Sequence, residues 1–183
     1  MECVILLDNS NIFIEGQKAS AKRKGVTPSF AGEKQQSDHS WRIDFDKLLT
    51  QLADGRTIRK AFLVGSRPPP NDNVWKMAAQ NGFEVITHDR DKKNKEKAVD
   101  TELVAQGTLA IATTPSPAVL IIGSGDRDFI PLVGIAHSLK WTVEMTAFSS
   151  SFSKTGEMAM AVDKVRPLDG SLDLIGHCAF SWP

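Results

Sequence analysis

The sequence predicts an α/β protein with a central parallel β-sheet covered by helices on both faces. Short, wholly apolar runs recur along the 183 residues, and stretches with helical periodicity lie between them. Polar loops follow the runs at their C-terminal ends, the arrangement of alternating β and α units. Composition agrees with this class, with 41% apolar and 24% charged residues, and the length suits one domain that buries its core without a disulfide or metal staple.

The first run, Cys3–Leu7 (CVILL), has no polar interruption and reads as a buried strand. Further strands are expected at Ile58–Val64, Phe83–Thr87, Ala118–Ile122 and Thr142–Ala147. Phe45, Leu48, Leu49 and Leu52 follow an i, i+3, i+4, i+7 spacing, one face of a helix. Asn71 or Asp72 can cap a second helix carrying Val74, Met77 and Ala78, which Asn81-Gly82 ends. Val99, Leu103 and Ala110 mark a third helix; Phe129, Leu132, Val133, Ala136 and Leu139 mark a fourth. Pro131 fits that last helix only near its start, so Asp126 to Asp128 lie at or just before its N-terminus.

Two stretches break the pattern. Glu15–Trp41 holds few large apolar residues and a Lys22-Arg23-Lys24 cluster; it reads as a short helix and a long loop, an insertion at about 16–42 in a domain of 1–166. The tail, 167–183, carries Leu168, Leu172, Leu174, Ile175, Phe180 and Trp182 and is expected to pack on the body or on a partner, which makes a homodimer plausible.

Several function classes drop out. Lys plus Arg is 22 and Asp plus Glu is 22, so binding of nucleic acid by bulk positive charge is excluded and any basic surface is local. No apolar run approaches the ~20 residues that span a bilayer. Val4–Leu7 is too short for a signal-peptide core, and Asp8 interrupts it. Cys3 and Cys178 lie near opposite ends without metal or redox spacing, as in a reduced cytoplasmic protein, and His177-Cys178 has no thiol-protease pattern. Tyrosine is absent, which removes a tyrosyl nucleophile.

Ligands of parallel sheets sit beyond the carboxyl ends of the strands, where the strand order reverses. The first strand runs into Asp8-Asn9-Ser10-Asn11, and the fourth into Gly123-Ser124-Gly125-Asp126-Arg127-Asp128. If those strands are neighbours, Asp8, Asp126 and Asp128 meet at one edge, and Asp100, at the start of the third helix, reaches the same spot. Clustered carboxylates repel unless a cation neutralises them. Mg²⁺ and Mn²⁺ suit such oxygen sites, and a pair of ions can hold the attacking water and the leaving oxygen of a phosphodiester cleavage. Gly123 and Gly125 permit a tight bend, while Asn11 and Ser124 are polar enough to hold a phosphate oxygen. Each of these residues is also a good helix cap or turn former, and acids are favoured in first helical turns anyway. Glu102 lies about 200° around the helix from Asp100, toward solvent.

At these positions the chain resembles the NYN domains of the PIN-like nuclease superfamily, in particular their LabA-like branch. The matching pieces are Leu7-Asp-Asn-Ser-Asn11, Ile43-Asp-Phe-Asp-Lys-Leu48, Lys95-Glu-Lys-Ala-Val-Asp100 and Gly123-Ser-Gly-Asp-Arg-Asp-Phe-Ile-Pro-Leu132. The resemblance implies a PIN-like three-layer sandwich with strand order about 3-2-1-4-5. It also implies a Mg²⁺- or Mn²⁺-dependent site at Asp8, Asp100, Asp126 and Asp128, and ribonuclease activity in active members. One departure stands out: the family often carries another acid about two turns into the Asp100 helix, where Gln106-Gly107 stand here.

Arg90, Lys92, Lys93, Lys95 and Lys97 face only Asp91 and Glu96 in the loop before Asp100, a basic rim suited to an RNA backbone, with Arg90, Lys95 and Lys97 as substrate-binding candidates. Lys18, Lys22, Arg23 and Lys24 offer a second contact surface. Trp41 or Trp75 can stack a base, although core packing is the commoner fate of tryptophan. His88 and His137 are candidates for proton transfer, His137 more as a structural residue. Two alternatives stay open: a catalytically weak or inactive NYN module binding RNA or a protein, and a haloacid-dehalogenase-like phosphatase. The latter lacks the acid it needs two residues after Asp8, where Ser10 stands, and a well-placed lysine.

Overall fold

Residues 1–26, 36–67, 73–89 and 98–179 are described by the computed structural model, with β1 (Glu2–Asp8) at its centre. Cys3 through Leu7 are fully buried, as an uninterrupted apolar run demands when helices cover both faces of a parallel sheet. Beside β1 lie β3 (Thr57–Arg67) and β5 (Val119–Gly123), both parallel to it; β4 (Glu84–Asp89) flanks β3, and β6 (Thr142–Ala147) and β7 (Lys164–Pro167) follow β5. The six-stranded order is β4-β3-β1-β5-β6-β7, which is 3-2-1-4-5 for the five expected strands with β7 added at the edge.

Side chains alternate across β1. Cys3, Ile5 and Leu7 join the core under α1 (Asn9–Arg23), α2 (Phe45–Ala53) and α3 (Asn73–Gln80). Val4 and Leu6 join the core under α4 (Val99–Thr113), α5 (Ile130–Ser138) and the short α6 (Glu157–Ala161). The result is an α/β/α sandwich. Its strand order reverses between β1 and β5, so the crevice that parallel sheets use for ligands opens at the ends of those two strands.

Several expectations are corrected here. The helix expected to be short is the 15-residue α1, starting at Asn9. Its contact face is made of small residues: a Cβ on Gly16 would occupy the place of the Trp41 ring, and Ser20 and Ala21 are buried alongside. A helix whose buried residues are Ile12, Glu15, Gly16, Gln17, Ser20 and Ala21, all but one small or polar, shows little apolar periodicity. Trp41 begins β2 (Trp41–Ile43), which pairs antiparallel with β8 (Gly176–Cys178), three residues each and too short to register as patterns. Tail residues Leu168, Leu172 and Ile175 enter the core beside Trp41. On α3 the buried residues are Trp75 and Ala78, whereas Val74 and Met77 are exposed. Leu139 falls just past the end of α5 and is also exposed. The caps proposed at Asn71 and Asp72 lie outside the described residues, as do 27–35 of the insertion.

Candidate metal centre

Three chain reversals place the acidic residues. Asp8 ends β1 and caps α1: its Oδ1 accepts the Asn11 amide at 3.2 Å and the Ser10 hydroxyl at 2.8 Å, which holds the nearly buried carboxylate in place. Asp126 follows β5 and caps a 3₁₀ turn, Arg127–Phe129, by accepting the Asp128 amide at 3.0 Å. Ser124 Oγ accepts the Asp126 amide at 3.3 Å, and Pro131 in the first turn of α5 sets the helix going. Asp100 stands in the first turn of α4, entered through Ala98 at a left-handed φ of 64°, a sharp reversal that only a tightly held chain gives a non-glycine residue.

These reversals bring together carboxylate oxygens of Asp100, Asp126 and Asp128 within 4.8 Å of one another. At that spacing two full charges repel by roughly 1–3 kcal/mol across effective dielectrics of ~80 to ~20, repulsion that a cation among them would relieve. A cavity of about 330 Å³ opens beside them, lined by Asp8, Ser10, Asn11, Glu15, Asp100 and Asp126 among others. Asp8 is therefore not a member of the tight triad; it forms part of the wall of the same cavity. Asn11 Oδ1 is buried without a hydrogen-bond partner among the described residues, an acceptor in the cavity lining still in want of a donor. The donor set is all oxygen and mostly anionic, which fits a hard divalent cation and not a soft one.

Glu15 is the wall residue that sequence reasoning missed. The signal was present: Asp8, Asn11 and Glu15 stand at i, i+3 and i+7, one face of a helix. Its carboxylate is engaged on both sides, by the Lys18 ammonium at 2.6 Å and the Ser150 hydroxyl at 2.5 Å. Other residues fall elsewhere than expected. Ser124 is fully buried beneath the turn and does not line the cavity, so the structure gives it the cap of Asp126 in place of a phosphate contact. Glu102 does not face solvent freely: Gln106 Nε2 donates to its Oε1 at 2.8 Å and His88 Nε2 lies 3.5 Å from its Oε2. Gly123 and Gly125 have no positive φ; a Cβ on Gly123 would overlap Leu7, and one on Gly125 would lie 2.9 Å from Phe152 Cβ and from the Ser151 carbonyl. Closeness, not a special bend, requires them.

Trp41 and Trp75 are both core residues, which removes them from base stacking. His137 sits 2.9 Å from the Asp163 carboxylate, which also accepts the Val143 amide at 2.7 Å, a structural pairing. Arg90, Lys95 and Lys97, with Lys92 and Lys93, lie outside the described residues.

The comparisons with known proteins agree with this architecture. No curated protein matches the sequence. Among solved structures, the fold is similar to the crystal structure of a protein of unknown function, VPA0982, from Vibrio parahaemolyticus, with a TM-score of 0.65 over 96% of each chain at 16% identity. That likeness speaks for the fold alone. The model of the NYN domain matches residues 5–169, nearly the whole sheet and every carboxylate of the cluster, and the chain belongs to the NYN domain family.

Proposed function

We propose that this chain is a ribonuclease that uses Mg²⁺ or Mn²⁺ to cleave phosphodiester bonds, of the LabA-like branch of its family. The observation that carries the reading is the meeting of Asp100, Asp126 and Asp128 within 4.8 Å beside a cavity that Asp8 also lines. A cation held there supplies Lewis-acid stabilisation of the phosphate and a more acidic attacking water. The triad holds it, and Asp8, fixed by Ser10 and Asn11, contributes a further carboxylate to the wall of the same cavity. Asn11 Oδ1 takes a hydrogen bond from water or from a ribose hydroxyl. Arg90, Lys95 and Lys97 precede Asp100 in sequence and supply positive charge for the RNA strand.

The proposal extends to single-stranded or structured RNA as substrate and to the cytoplasm as location, with 1–166 as the catalytic domain and 167–183 as its tail. Free Cys3 and Cys178 suit that location, and among the described residues no helix is long and apolar enough to cross a membrane. A homodimer is a lesser part of it, resting on the exposed Leu174 of the tail, and sedimentation tests it. Asp126→Asn is expected to abolish cleavage of single-stranded RNA with an unchanged circular-dichroism spectrum. Full cleavage by that variant, or by wild type in excess EDTA, overturns the mechanism.

One observation favours a second reading. Gln106 stands where the family often has an acid, and its amide is turned to Glu102. A module that binds RNA without cutting it would show metal-independent binding and no turnover across Mg²⁺ and Mn²⁺; metal-dependent turnover removes that reading.

A further inference from the structure

A second cleft, of about 350 Å³, adjoins the acidic cavity and shares Asp126 as a wall. Its volume falls at the lower end of the ~300–1,000 Å³ range of small-ligand sites, enough for one nucleotide unit. Arg127 and Phe152 line it. Arg127 is exposed, and its guanidinium has no ion pair or hydrogen bond among the described residues, unlike Arg56, Arg59 and Arg166, each of which meets a carboxylate. Phe152 is half-buried, its packed side set against the α4–α5 core.

The cleft is held at a fixed place. Absence of a side chain at Gly125 lets the loop after β6 close on the end of β5. Ser151 Oγ donates to the Phe148 carbonyl at 2.9 Å, and the Gly156 amide donates to the Ser153 carbonyl at 2.9 Å, so the loop satisfies much of its own polarity. Glu157 also lines the cleft, and Asp126 belongs to the proposed cation site, so what the cleft offers an anionic, aromatic ligand is the Arg127 guanidinium and the Phe152 side chain beside that carboxylate. Aromatic stacking combined with local positive charge is how proteins hold unpaired strands without strong sequence preference.

We propose that this cleft holds the nucleotide adjoining the scissile phosphate, with its flanking phosphate on Arg127 and its base against Phe152. The inference rests on the ribonuclease reading and adds to it a subsite that selects single-stranded over duplex RNA, because a paired base cannot leave its stack to reach Phe152.

The test compares wild type with Phe152→Leu, which keeps apolar packing without the aromatic face, and Arg127→Gln. Binding of a fluorescein-labelled oligo(A) is read by anisotropy in EDTA across a salt series, and cleavage of the same strand is read in Mn²⁺. Each variant is expected to weaken binding and raise KM by about fivefold or more, with kcat nearly unchanged. Arg127→Gln is also expected to lower the salt slope by about one ion. Unchanged affinity and KM in both variants, with a cleaving wild type and intact thermal unfolding, overturns the subsite and leaves the ribonuclease reading standing. A wild type that binds but never cleaves, with binding weakened by both substitutions, overturns the ribonuclease reading and keeps the subsite as an RNA contact. Equal loss of kcat and kcat/KM with unchanged binding also overturns the subsite, since Arg127 would then act only through Asp126.

Discussion

Replacing Gly107 by alanine adds a methyl group where α4 presses on both β1 and α5. The added Cβ would stand 2.7 Å from Leu6 Cδ1 and 2.8 Å from Leu132 Cδ2, about 0.6–0.7 Å inside ordinary contact on two sides. Both leucines are fully buried, so neither can swing into solvent. Overpacking of this kind costs about 1–3 kcal/mol, and alanine returns about 1 kcal/mol of helix propensity. The balance is a loss of up to about 2 kcal/mol, or up to roughly 8 °C in Tm for a chain of this size. Gly134 is the internal control, because it lies exposed in α5 and an added Cβ there meets nothing within 4 Å. Gly134→Ala is expected to stabilise by about 0.5–1 kcal/mol. Urea unfolding at equal m-value reads both. Asp100 lies two turns before Gly107 on the same face of α4, so the wedge is also expected to weaken Mn²⁺ binding. A Gly107→Ala midpoint raised as far as that of Gly134→Ala would refute the argument that α4 is seated by backbone closeness.

Three further outcomes follow from the packing and the charges. Glu144, almost fully buried on β6, meets Arg56 at 2.7 Å and Arg166 at 2.9 Å; Glu144→Gln takes the carboxylate from Arg56 and leaves Arg166 only the exposed Asp54 at 3.5 Å, and is expected to cost about 2–4 kcal/mol in urea unfolding, with a loss under 0.5 kcal/mol counting against the ion pairs. Burial alone would raise the Asp38 carboxyl, but hydrogen bonds from Lys24, Ser20 and Ser40 outweigh it and hold the carboxyl well below the usual carboxylate range. A depressed folded pKa gives stability that is complete above the unfolded value of about 3.9 and fades as pH falls below it, so Asp38→Asn is expected to flatten the acid limb of the stability curve below about pH 4; an unchanged acid limb contradicts the network. Lys18→Met is expected to leave thermal unfolding within about 0.5 kcal/mol, since Lys18 is partly exposed, while freeing one oxygen of Glu15 in the cavity wall and tightening Mn²⁺ binding; weaker Mn²⁺ binding would show that Lys18 is needed to hold Glu15.

The fold was legible where residue pattern and burial coincide. Cys3–Leu7 and Ala118–Ile122 are apolar throughout because both of their faces are covered, and α2 shows its periodicity because Phe45, Leu48 and Leu52 are packed in the core, whereas the apolar Val74 and Met77 of α3 stand exposed. Local pattern failed where contact is made by small or polar side chains. Gly16, Ser20 and Ala21 form the face of α1 that receives Trp41 and carry no apolar signature, and β2 and β8 are fixed by Trp41 lying against Gly176, a contact between residues far apart in the chain. In the candidate site, the Asp100, Asp126 and Asp128 meeting follows from strand ends and helix starts that the sequence marks. Glu15 was harder to find because it belongs to the cavity only once α1 is known to begin at Asn9, capped by Asp8. Ser124 misled because a polar residue after a strand serves the turn as readily as a ligand, and only its burial distinguishes the two.

A cation bound by the acidic triad is the centre of the proposed mechanism. Crystals grown with Mn²⁺ and measured at its absorption edge test it without reference to any substrate. An anomalous peak bounded by Asp100, Asp126 and Asp128 that disappears in Asp126→Asn is the expected result; no peak there at saturating Mn²⁺, or one that survives the substitution unchanged, contradicts it.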